Sequence, residues 1–366
     1  MKGERKMKKL LSILLVAVLI LSITVGCGKK TEDEPAAPAS TTEKKVYEYK
    51  ISHVESEEDL FQKGYLYLKD ALEESGRFKV TIFANASFSS NESEACSQVV
   101  EGTIQHTHNP GYGLATNAGI PAFYLYDYPY MYNNNQEYLA VAYSNVQNDL
   151  NKLAEAKGIH IGYPWVNGWM GVGTKKKVAE LSDLQGLKLR TPTAPIMLKS
   201  FAKMGISCTP MAVSEVFTAL QQGTIDGVVT TARAFYTTKF YEGAGYFLWD
   251  RNSATLQFPL INLEYWNSLD EEAQKILDDA LMDYAQYMGK SCSDMEANCI
   301  SLYKEKGCEF STINDADMAE FKKVGEAIAS EQKDLVGAKY VDEAQNIIDQ
   351  VRAGKWNGFV GDYNPW

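Results

Sequence analysis

The chain has 366 residues, of which 45% are hydrophobic and 23% are charged, and its net charge is −11. This length is sufficient for two domains of ordinary size. The acidic balance argues against a nucleic-acid partner and against direct docking of the folded part on anionic lipid. An anionic ligand would therefore need a local, preorganised cation to hold it.

The first 27 residues have the pattern of a secretory signal. Met1–Lys9 contains five basic residues, Leu10–Val25 is an apolar run interrupted by three hydroxyl residues, and the small Gly26 precedes Cys27. A basic start, a short apolar core and a small-residue boundary are typical of a signal peptide rather than of a membrane-spanning helix. We therefore predict a signal peptide over residues 1–26.

The end of this segment, Thr24-Val25-Gly26-Cys27, resembles the bacterial lipobox, in which the cysteine is acylated and becomes the new N-terminus. Thr24 stands where that motif usually has leucine. The resemblance implies an extracytoplasmic protein anchored to the cell membrane through lipid on Cys27; the alternatives are an ordinary signal peptide or an uncleaved anchor. Gly28–Lys45 is small, charged and proline-containing, which predicts a disordered tether. The lipidated cysteine and tether thus occupy residues 27–45.

Five further cysteines form no recognisable metal motif, and an odd number cannot all pair. Cys292 and Cys299 lie seven residues apart on a predicted helix, roughly 10 Å along its axis. That separation is too long for a disulfide. We predict buried thiols.

Strand-like and helix-like segments alternate along the chain after the tether. Such alternation predicts an α/β fold with largely parallel sheets. In chain order, the predicted segments are a strand at Val46–Val54, a helix at Asp59–Ser75, a strand at Phe78–Phe83, a helix at Ser90–Glu101, a strand at Thr103–His106, a helix at Asn135–Lys157, and strands at Ile159–Tyr163 and Trp169–Thr174.

A long amphipathic helix is predicted near the C-terminal end. Ser268-Leu-Asp-Glu271 has the pattern of a capping box, and an apolar stripe with a 3.6-residue period continues to about Lys306, where Gly307 supplies the stop. A rod of this length, roughly 57 Å, exceeds the width of one lobe. We expect a single helix that crosses two lobes; the alternative is two helices bent at Gly289.

Four segments carry a specific combination of motifs. They are GIPAFYLYDYPY (Gly119–Tyr130), LQGLKLRTP (Leu184–Pro192), PMAVSEVFTALQQGTIDG (Pro210–Gly227) and YWNSLDEEAQ (Tyr265–Gln274). In this order they resemble the substrate-binding proteins of TRAP transporters, which are tripartite, ATP-independent uptake systems. The likeness extends from about Val46 to the C-terminus.

The resemblance implies a bilobed, periplasmic-binding-protein-like α/β fold with a central cleft and a long helix shared by both domains. Lobe I would contain residues 46–167 and about 256–290, and lobe II residues 168–255 and about 291–366. The implied function is that of an extracytoplasmic solute receptor. It would capture a small organic acid by hinge closure and deliver it to TRAP membrane permease subunits, without enzymatic chemistry or a cofactor.

The resemblance also implies that Arg190 binds the substrate carboxylate. A planar guanidinium can donate two parallel hydrogen bonds to a carboxylate, whereas Lys188 offers only a point charge. Alternation sends Lys188 and Arg190 to the same strand face, so the sequence alone does not separate them. Pro192 follows at once and places Arg190 near a strand end, where ligands of open α/β sheets bind.

Two departures from the family pattern bear on the ligand. Thr230 stands where many relatives have a ligand-binding asparagine, and its hydroxyl can still bond a ligand oxygen. The stretch GWMG (Gly168–Gly171) lacks the arginine that many relatives carry there, so Trp169 becomes a candidate stacking wall. Less positive charge favours a monocarboxylate with an apolar or aromatic body, or a sugar acid, over sialic acid or a C4-dicarboxylate.

Five other polar or aromatic residues are candidate ligand contacts. They lie at the end of the first strand, at the end of the strand that precedes a glycine-rich loop, within that loop, and after Thr230. In that order they are His53, His108 with Asn109, Tyr112, and Tyr236.

Three other functions are alternatives to this interpretation. His106 and His108 lie two apart on one strand face, as in a metal-binding receptor, but no third ligand is placed near them. An extracellular enzyme is disfavoured because the chain lacks G-x-S-x-G, H-E-x-x-H, a P-loop and a complete G-x-G-x-x-G. The receptor of an ATP-driven importer shares the bilobed design and stays open as an alternative.

Overall fold

The structure, a computed structural model, describes residues 44–358. The predicted signal peptide, Cys27 and nearly all of the predicted tether lie outside the described residues.

Eleven strands within this range belong to one continuous hydrogen-bonded system. They are β1 (Tyr47–Ser52), β2 (Phe78–Phe83), β3 (His106–Pro110), β4 (Ile159–Ile161), β5 (Trp165–Thr174), β6 (Lys188–Thr191), β7 (Ser207–Pro210), β8 (Gly227–Thr231), β9 (Tyr246–Trp249), β10 (Ala254–Asn262) and β11 (Glu309–Thr312).

Helices separate most of the strands, as the alternating sequence pattern predicts. They are α1 (Leu60–Glu74), α2 (Glu92–Val100), α3 (Gly111–Asn117), α4 (Asn135–Ala142), α5 (Asn145–Glu155), α6 (Pro195–Lys203), α7 (Val213–Gln222), α8 (Ala232–Thr237), α9 (Leu263–Ser268), α10 (Glu271–Glu305), α11 (Asp315–Val336) and α12 (Ala338–Arg352), with short 3-10 helices at Pro121–Asp127, Leu181–Leu184 and Phe240–Glu242.

The strand order is β2-β1-β3-β10-β5-β8-β6-β7, with β4 added to β10, β9 added to β5 and β11 added to β9. The outer pairs β1–β2, β1–β3, β6–β7, β6–β8 and β9–β11 are parallel. The two central strands β5 and β10 pair antiparallel with all their partners. The prediction of largely parallel sheets is therefore wrong at the centre, where both strands are buried along their whole length.

Strand β5 belongs to two sheets. Its first half pairs with β10, and Met170–Thr174 pairs with β8. Gly168 lies near the end of the half that pairs with β10, with φ +143°, opposite Thr255 and next to a register shift. A Cβ at Gly168 would lie 3.3 Å from the Glu296 carboxylate, in addition to the backbone strain. Glycine thus permits the strand to pass from one sheet to the other.

The long helix α10 is continuous for 35 residues, through Gly289. This confirms the single-helix prediction over the bent alternative. The predicted cap is wrong, because Ser268 ends α9 and the Asp270 side chain caps α10 by accepting from the Ala273 N–H at 2.9 Å. Gly307, at φ +74°, follows its end.

Helix α10 is packed into two different apolar clusters. Residues from Ala273 to Cys292 pack with β1, α1 and Trp165, whereas Cys299 and Tyr303 pack with aromatic side chains of α8 and β9. Cys292 and Cys299 are free and buried, as predicted. The last helix, α12, packs against α4.

Two predicted element boundaries are wrong. The predicted helix at 135–157 is two helices, because the Ser144 side chain accepts from the Val146 N–H at 3.1 Å and starts α5 afresh. The strand predicted at 103–106 lies at His106–Pro110, where an antiparallel ladder with β10 overrides the local pattern. The glycine-rich segment after it is helix α3 rather than a loop.

Among the described residues, no helix combines the length and apolar character of a membrane span.

Candidate ligand-binding site

Arg190 lies in β6, next to β8, and its side chain is only 5% exposed. Its Nε and Nη2 donate to the Met211 carbonyl at 2.9 and 2.7 Å, and Nη1 donates to the Val229 carbonyl at 3.4 Å. Burial lowers its pKa to about 10. Lys188, on the same strand, is exposed. The structure thus separates two cations that the sequence left equivalent.

The motif around Arg190 fixes β6 against β8. The Asp226 carboxylate accepts from the Lys188 N–H at 2.9 Å, and the Asp226 N–H donates back to the Lys188 carbonyl at 2.8 Å. Gly227 follows because a Cβ there would lie 2.5 Å from the Gly173 carbonyl oxygen of β5. The Glu215 carboxylate accepts from the Ala212 N–H at the start of α7. Asp226 and Gly227 therefore serve mainly to position β6 against its neighbours, and Glu215 serves to start α7.

Two histidines of the predicted site converge on a carboxylate that the sequence analysis missed. His53 Nδ1 lies 3.3 Å from one Glu55 oxygen, and His108 Nε2 lies 3.4 Å from the other. The second nitrogens contact Gln62 at 2.8 Å and the Tyr65 hydroxyl at 2.7 Å, respectively. Burial alone would raise the pKa of Glu55, but His108 and His53 lower it below its usual range. We call His53, Glu55 and His108 the His–Glu–His cluster.

An arginine outside the family motifs lies beside this cluster. Phe61 stacks on His108 with ring centroids 4.3 Å apart, and the Arg233 guanidinium lies 5.2 Å from the same Phe61 ring. Arg233 is 3% exposed, and its Nη1 lies 3.4 Å from Asp59 Oδ1. Asp59, and to a smaller extent Cys292 and Glu55, raise the pKa of Arg233 against the effect of burial. No sequence motif marks Arg233, and its one sequence signal is its place just after β8.

Electrostatic coupling connects Arg190 to the His–Glu–His cluster. Burial and Glu55 raise the pKa of Glu92 to about 7, against the opposing influence of His108 and Arg190. Burial and Glu92 likewise raise the pKa of Tyr112 well above its usual value, while Arg190 lowers it. Glu92 and Tyr112 are therefore coupled electrostatically both to Arg190 and to Glu55 of the cluster.

The remaining predicted residues have mostly intramolecular contacts. Asn109 is fully buried, and it donates to the His108 carbonyl and accepts from Asn117, each at 2.9 Å. Trp169 donates to Asn135 Oδ1 at 2.8 Å, and its ring packs against an arginine and a tyrosine. As ligand contacts, Asn109 and Trp169 stay predictions.

Thr230 lies on β8, and Tyr236 lies on α8, the helix that also carries Arg233. Thr230 is opposite Gly171 of β5 and is 6% exposed. Tyr236 is half-buried, with its ring 5.6 Å from that of Tyr241. Their contact with a ligand also stays a prediction.

The histidine pair considered as a metal site is engaged in hydrogen bonds. His106 Nδ1 lies 3.0 Å from the Tyr49 hydroxyl, and burial together with His108 lowers the His106 pKa to about 3. Over residues 44–358, no group of three histidine, cysteine or acidic side chains is placed to hold a metal ion.

Comparison with known proteins identifies a family over most of the chain. Residues 51–334 match the model of DctP, the bacterial extracellular solute-binding protein family 7. The 2,3-diketo-L-gulonate-binding periplasmic protein YiaO of Escherichia coli K12 is 27% identical over 286 residues, which are 77% of this chain and 84% of that protein.

Solved structures share the fold. The sugar acid binding protein DctPAm of Advenella mimigardefordensis, in complex with galactonate, superimposes with a TM-score of 0.79 at 20% identity, over 84% of this chain and 99% of that one. A TRAP periplasmic solute binding protein of Haemophilus influenzae with bound L-gulonate gives a TM-score of 0.75 at 22% identity, over 84% and 100%. These neighbours have the bilobed α/β fold that the resemblance implied. The chain therefore belongs to family 7 of the bacterial extracellular solute-binding proteins, and it is a solute receptor rather than an enzyme.

Proposed function

We propose that this receptor binds a small organic acid through a salt bridge between the ligand carboxylate and Arg190, and delivers it to TRAP permease subunits. One observation carries the proposal. Arg190 is buried and donates only to main-chain carbonyls, and within residues 44–358 no carboxylate lies in ion-pair distance of it. A ligand carboxylate would supply the missing counter-charge.

The energetics of burial support this assignment. A charged group that leaves water without an ionic partner loses solvation that carbonyl dipoles only partly replace. A carboxylate that reaches the guanidinium gains charge-assisted hydrogen bonds in a site of low dielectric constant. Arg190 would therefore favour an occupied, closed state over an empty one. The acid ligands in the names of the related proteins, which include galactonate and L-gulonate, belong to this class.

The other contacts follow from the neighbours of Arg190. Tyr112 and His108 are electrostatically coupled to Arg190 directly or through Glu92. We propose that they line the ligand cavity together with His53 and Thr230. Asn109, Trp169 and Tyr236 would support these cavity-lining residues from positions farther from the ligand.

The predicted lobe boundaries stay part of the proposal. In that division Arg190 and Thr230 belong to lobe II, and the histidines belong to lobe I, so closure would bring both sets onto the ligand. Helix α12, assigned to lobe II, packs against α4 of lobe I. The C-terminal residues would therefore connect the lobes.

We also propose that the mature chain is held at the outer face of the cell membrane by lipid on Cys27. The basic and apolar segments before Gly26-Cys27 support this proposal. Replacing Cys27 by serine should release the receptor from the membrane fraction, with folding unchanged. Equal membrane retention of both forms would contradict lipid anchoring at this residue.

The binding proposal is tested by a thermal-shift screen of organic acids, sugar acids and amino acids on the lipid-free chain from residue 28 onward. A ligand raises the melting temperature in proportion to RT ln(1 + [L]/Kd). We expect shifts with organic acids and none with the corresponding amides. Equal shifts with acid and amide would contradict recognition of the carboxylate.

A further inference from the structure

Arg233 is a buried cation whose hydrogen-bonding capacity is largely unused. Its side chain is 4% exposed. Its Nε–H is buried and has no hydrogen-bond partner among the described residues. Buried donors of this kind are rare in folded proteins, and each costs the desolvation of the group. A missing partner at Nε therefore needs an explanation.

Asp59 does not supply this partner. The Nη1–Oδ1 distance of 3.4 Å is long, since charge-assisted bonds of this type are about 2.7–2.9 Å. Asp59 Oδ1 also accepts from the Phe61 N–H at 3.0 Å and caps α1. The carboxylate is thus fixed by its helix, and it meets one corner of the guanidinium only.

The position of Arg233 connects it with the proposed ligand site. Its guanidinium covers the ring of Phe61, and Phe61 stacks on His108. Glu55 acts electrostatically on Arg233 and also on Glu92, which in turn is coupled to Arg190. Arg233 therefore lies next to the Phe61 ring that stacks on His108, and each guanidinium is coupled electrostatically to an acidic group, Arg233 to Glu55 and Arg190 to Glu92.

We propose that Arg233 is a second ligand-binding guanidinium, which takes an acceptor oxygen of the ligand at the end remote from the carboxylate on Arg190. This inference rests on the proposed function. It assigns the ligand to acids that carry hydroxyl, keto or further carboxylate oxygens away from the first carboxylate. The sequence predicted a less positive site and a ligand with an apolar body, because the second arginine of many relatives is absent. Arg233 would supply a second cation from another position, which changes that expectation.

The competing explanation is a latch between segments. In that case Arg233 would serve only to attract Asp59 and stabilise closure, whatever the ligand. Replacing Asp59 by asparagine separates the two explanations, because asparagine caps a helix as well as aspartate but carries no charge. If Arg233 only attracts Asp59, this variant should lose that attraction and its effect on closure. If Arg233 binds the ligand, its guanidinium should stay available to the ligand in this variant.

The test compares wild type, Arg233→Gln, Asp59→Asn and Arg190→Ala by calorimetric titration. The oxygen-rich probes are galactonate, L-gulonate, galacturonate and succinate; the matched control is hexanoate, which has one carboxylate and no other oxygens. Arg233→Gln should weaken the best oxygen-rich probe about ten- to hundredfold, as expected for hydrogen bonds to a charged group. Hexanoate binding should change less than about twofold. Asp59→Asn should leave both unchanged or tighter.

Several results would overturn the inference. One is a wild type that prefers hexanoate. Another is an Arg233→Gln variant that keeps full affinity for the oxygen-rich probe, and a third is equal loss of both probes in Arg233→Gln and Asp59→Asn. Arg233→Lys checks folding, because it keeps the charge and should retain partial binding. The proposed function itself fails if Arg190→Ala binds the acids normally or if no acid binds to wild type. If Arg190→Ala loses binding but Arg233→Gln does not, only the role proposed for Arg233 fails.

Discussion

Two buried arginines, Arg77 and Arg190, have similar exposure but opposite surroundings. Arg77, 3% exposed, donates to Glu272 and to Asp270 at 2.5 Å each and to the Lys45 carbonyl at 3.0 Å. Its carboxylate partners belong to the first turn of α10 and its cap. Arg190 has carbonyl partners only.

The difference distinguishes an arginine that holds the fold together from one that is kept for a ligand. Arg77 is neutralised by carboxylates of the chain itself, so its interactions are complete when the chain folds. Arg190 is held in place by carbonyls that orient the guanidinium and leave its charge unbalanced. Removing the first should affect stability, and removing the second should affect binding.

The largest effect expected is on binding in Arg190→Ala. Loss of one partner of a desolvated charge pair should weaken acid binding by about 2–5 kcal/mol. The melting temperature without ligand should fall less than in Arg77→Met, because hydrogen bonds to main-chain carbonyls are lost but no ion pair is broken. Lys188→Ala, on the same strand but exposed, is the matched control and should bind normally. Calorimetric titration with galactonate and a melting curve measure both quantities; equal affinities of the two variants would contradict the distinction.

Arg77→Met should show the reverse pattern. The melting temperature should fall because both ion pairs to the start of α10 are lost, while ligand affinity is kept. A main-chain hydrogen bond from Ala273 and contact with Arg77 lower the pKa of Asp270 in the folded state. This contribution to stability is present at neutral pH and is lost as the pH falls through that lowered pKa. The wild-type and variant melting temperatures should therefore converge in acid; a constant difference would argue against the ion pair.

A smaller effect is expected from Glu92, whose pKa is raised to about 7, mainly by burial. A ligand carboxylate on Arg190 would raise this pKa further, so binding takes up a proton. Acid binding should therefore tighten by a few-fold as the pH falls from about 8 to 6. Glu92→Gln should bind as wild type does at low pH and should lose the pH dependence. A pH profile that survives this substitution would assign it to another group.

The smallest effect concerns the crossing of β5, where Glu296 accepts from the Trp169 N–H at 2.6 Å. Burial raises the pKa of Glu296 to about 7, so the folded state holds its proton more tightly than the unfolded chain does. Stability should decline as the pH rises from about 4.5 to 7 and then level off. Glu296→Gln keeps the acceptor oxygen without the charge, and it should melt slightly higher than wild type above pH 7. A lower melting temperature at pH 8 would contradict this account.

Local patterns predicted many of the elements. The helix predicted from Asp59 to Ser75 is α1, which the Asp59 side chain caps, and the periodicity of α10 outweighed Gly289. The predicted element boundaries were wrong where contacts distant in sequence determine them. One example is β3, whose register is set by pairing with β10, far along the chain. The antiparallel centre was missed for the same reason, because a strand's direction in a sheet is not encoded in its own residues.

The site was predictable only where a motif marks it. Arg190 lies within a family motif, but only the structure shows that Arg190 is buried while Lys188 is exposed. Glu55 and Arg233 lie in no motif, and their roles arise from contacts across 53 and 174 residues of sequence, with His108 and Asp59 respectively. Such pairings depend on how the segments pack, which hydrophobic periodicity does not report.

The path of α10 has a consequence for modularity. One uninterrupted helix supplies apolar side chains to two separate clusters, Ala273 to Cys292 to the first and Cys299 with Tyr303 to the second. A fragment that ends at Gly289 would lack Cys299 and Tyr303 of the second cluster and Cys292 of the first. We therefore expect the receptor to fold, to change in sequence and to be engineered as a single unit. Exchanging one half of the protein with that of a relative would require a helix that packs correctly against both clusters.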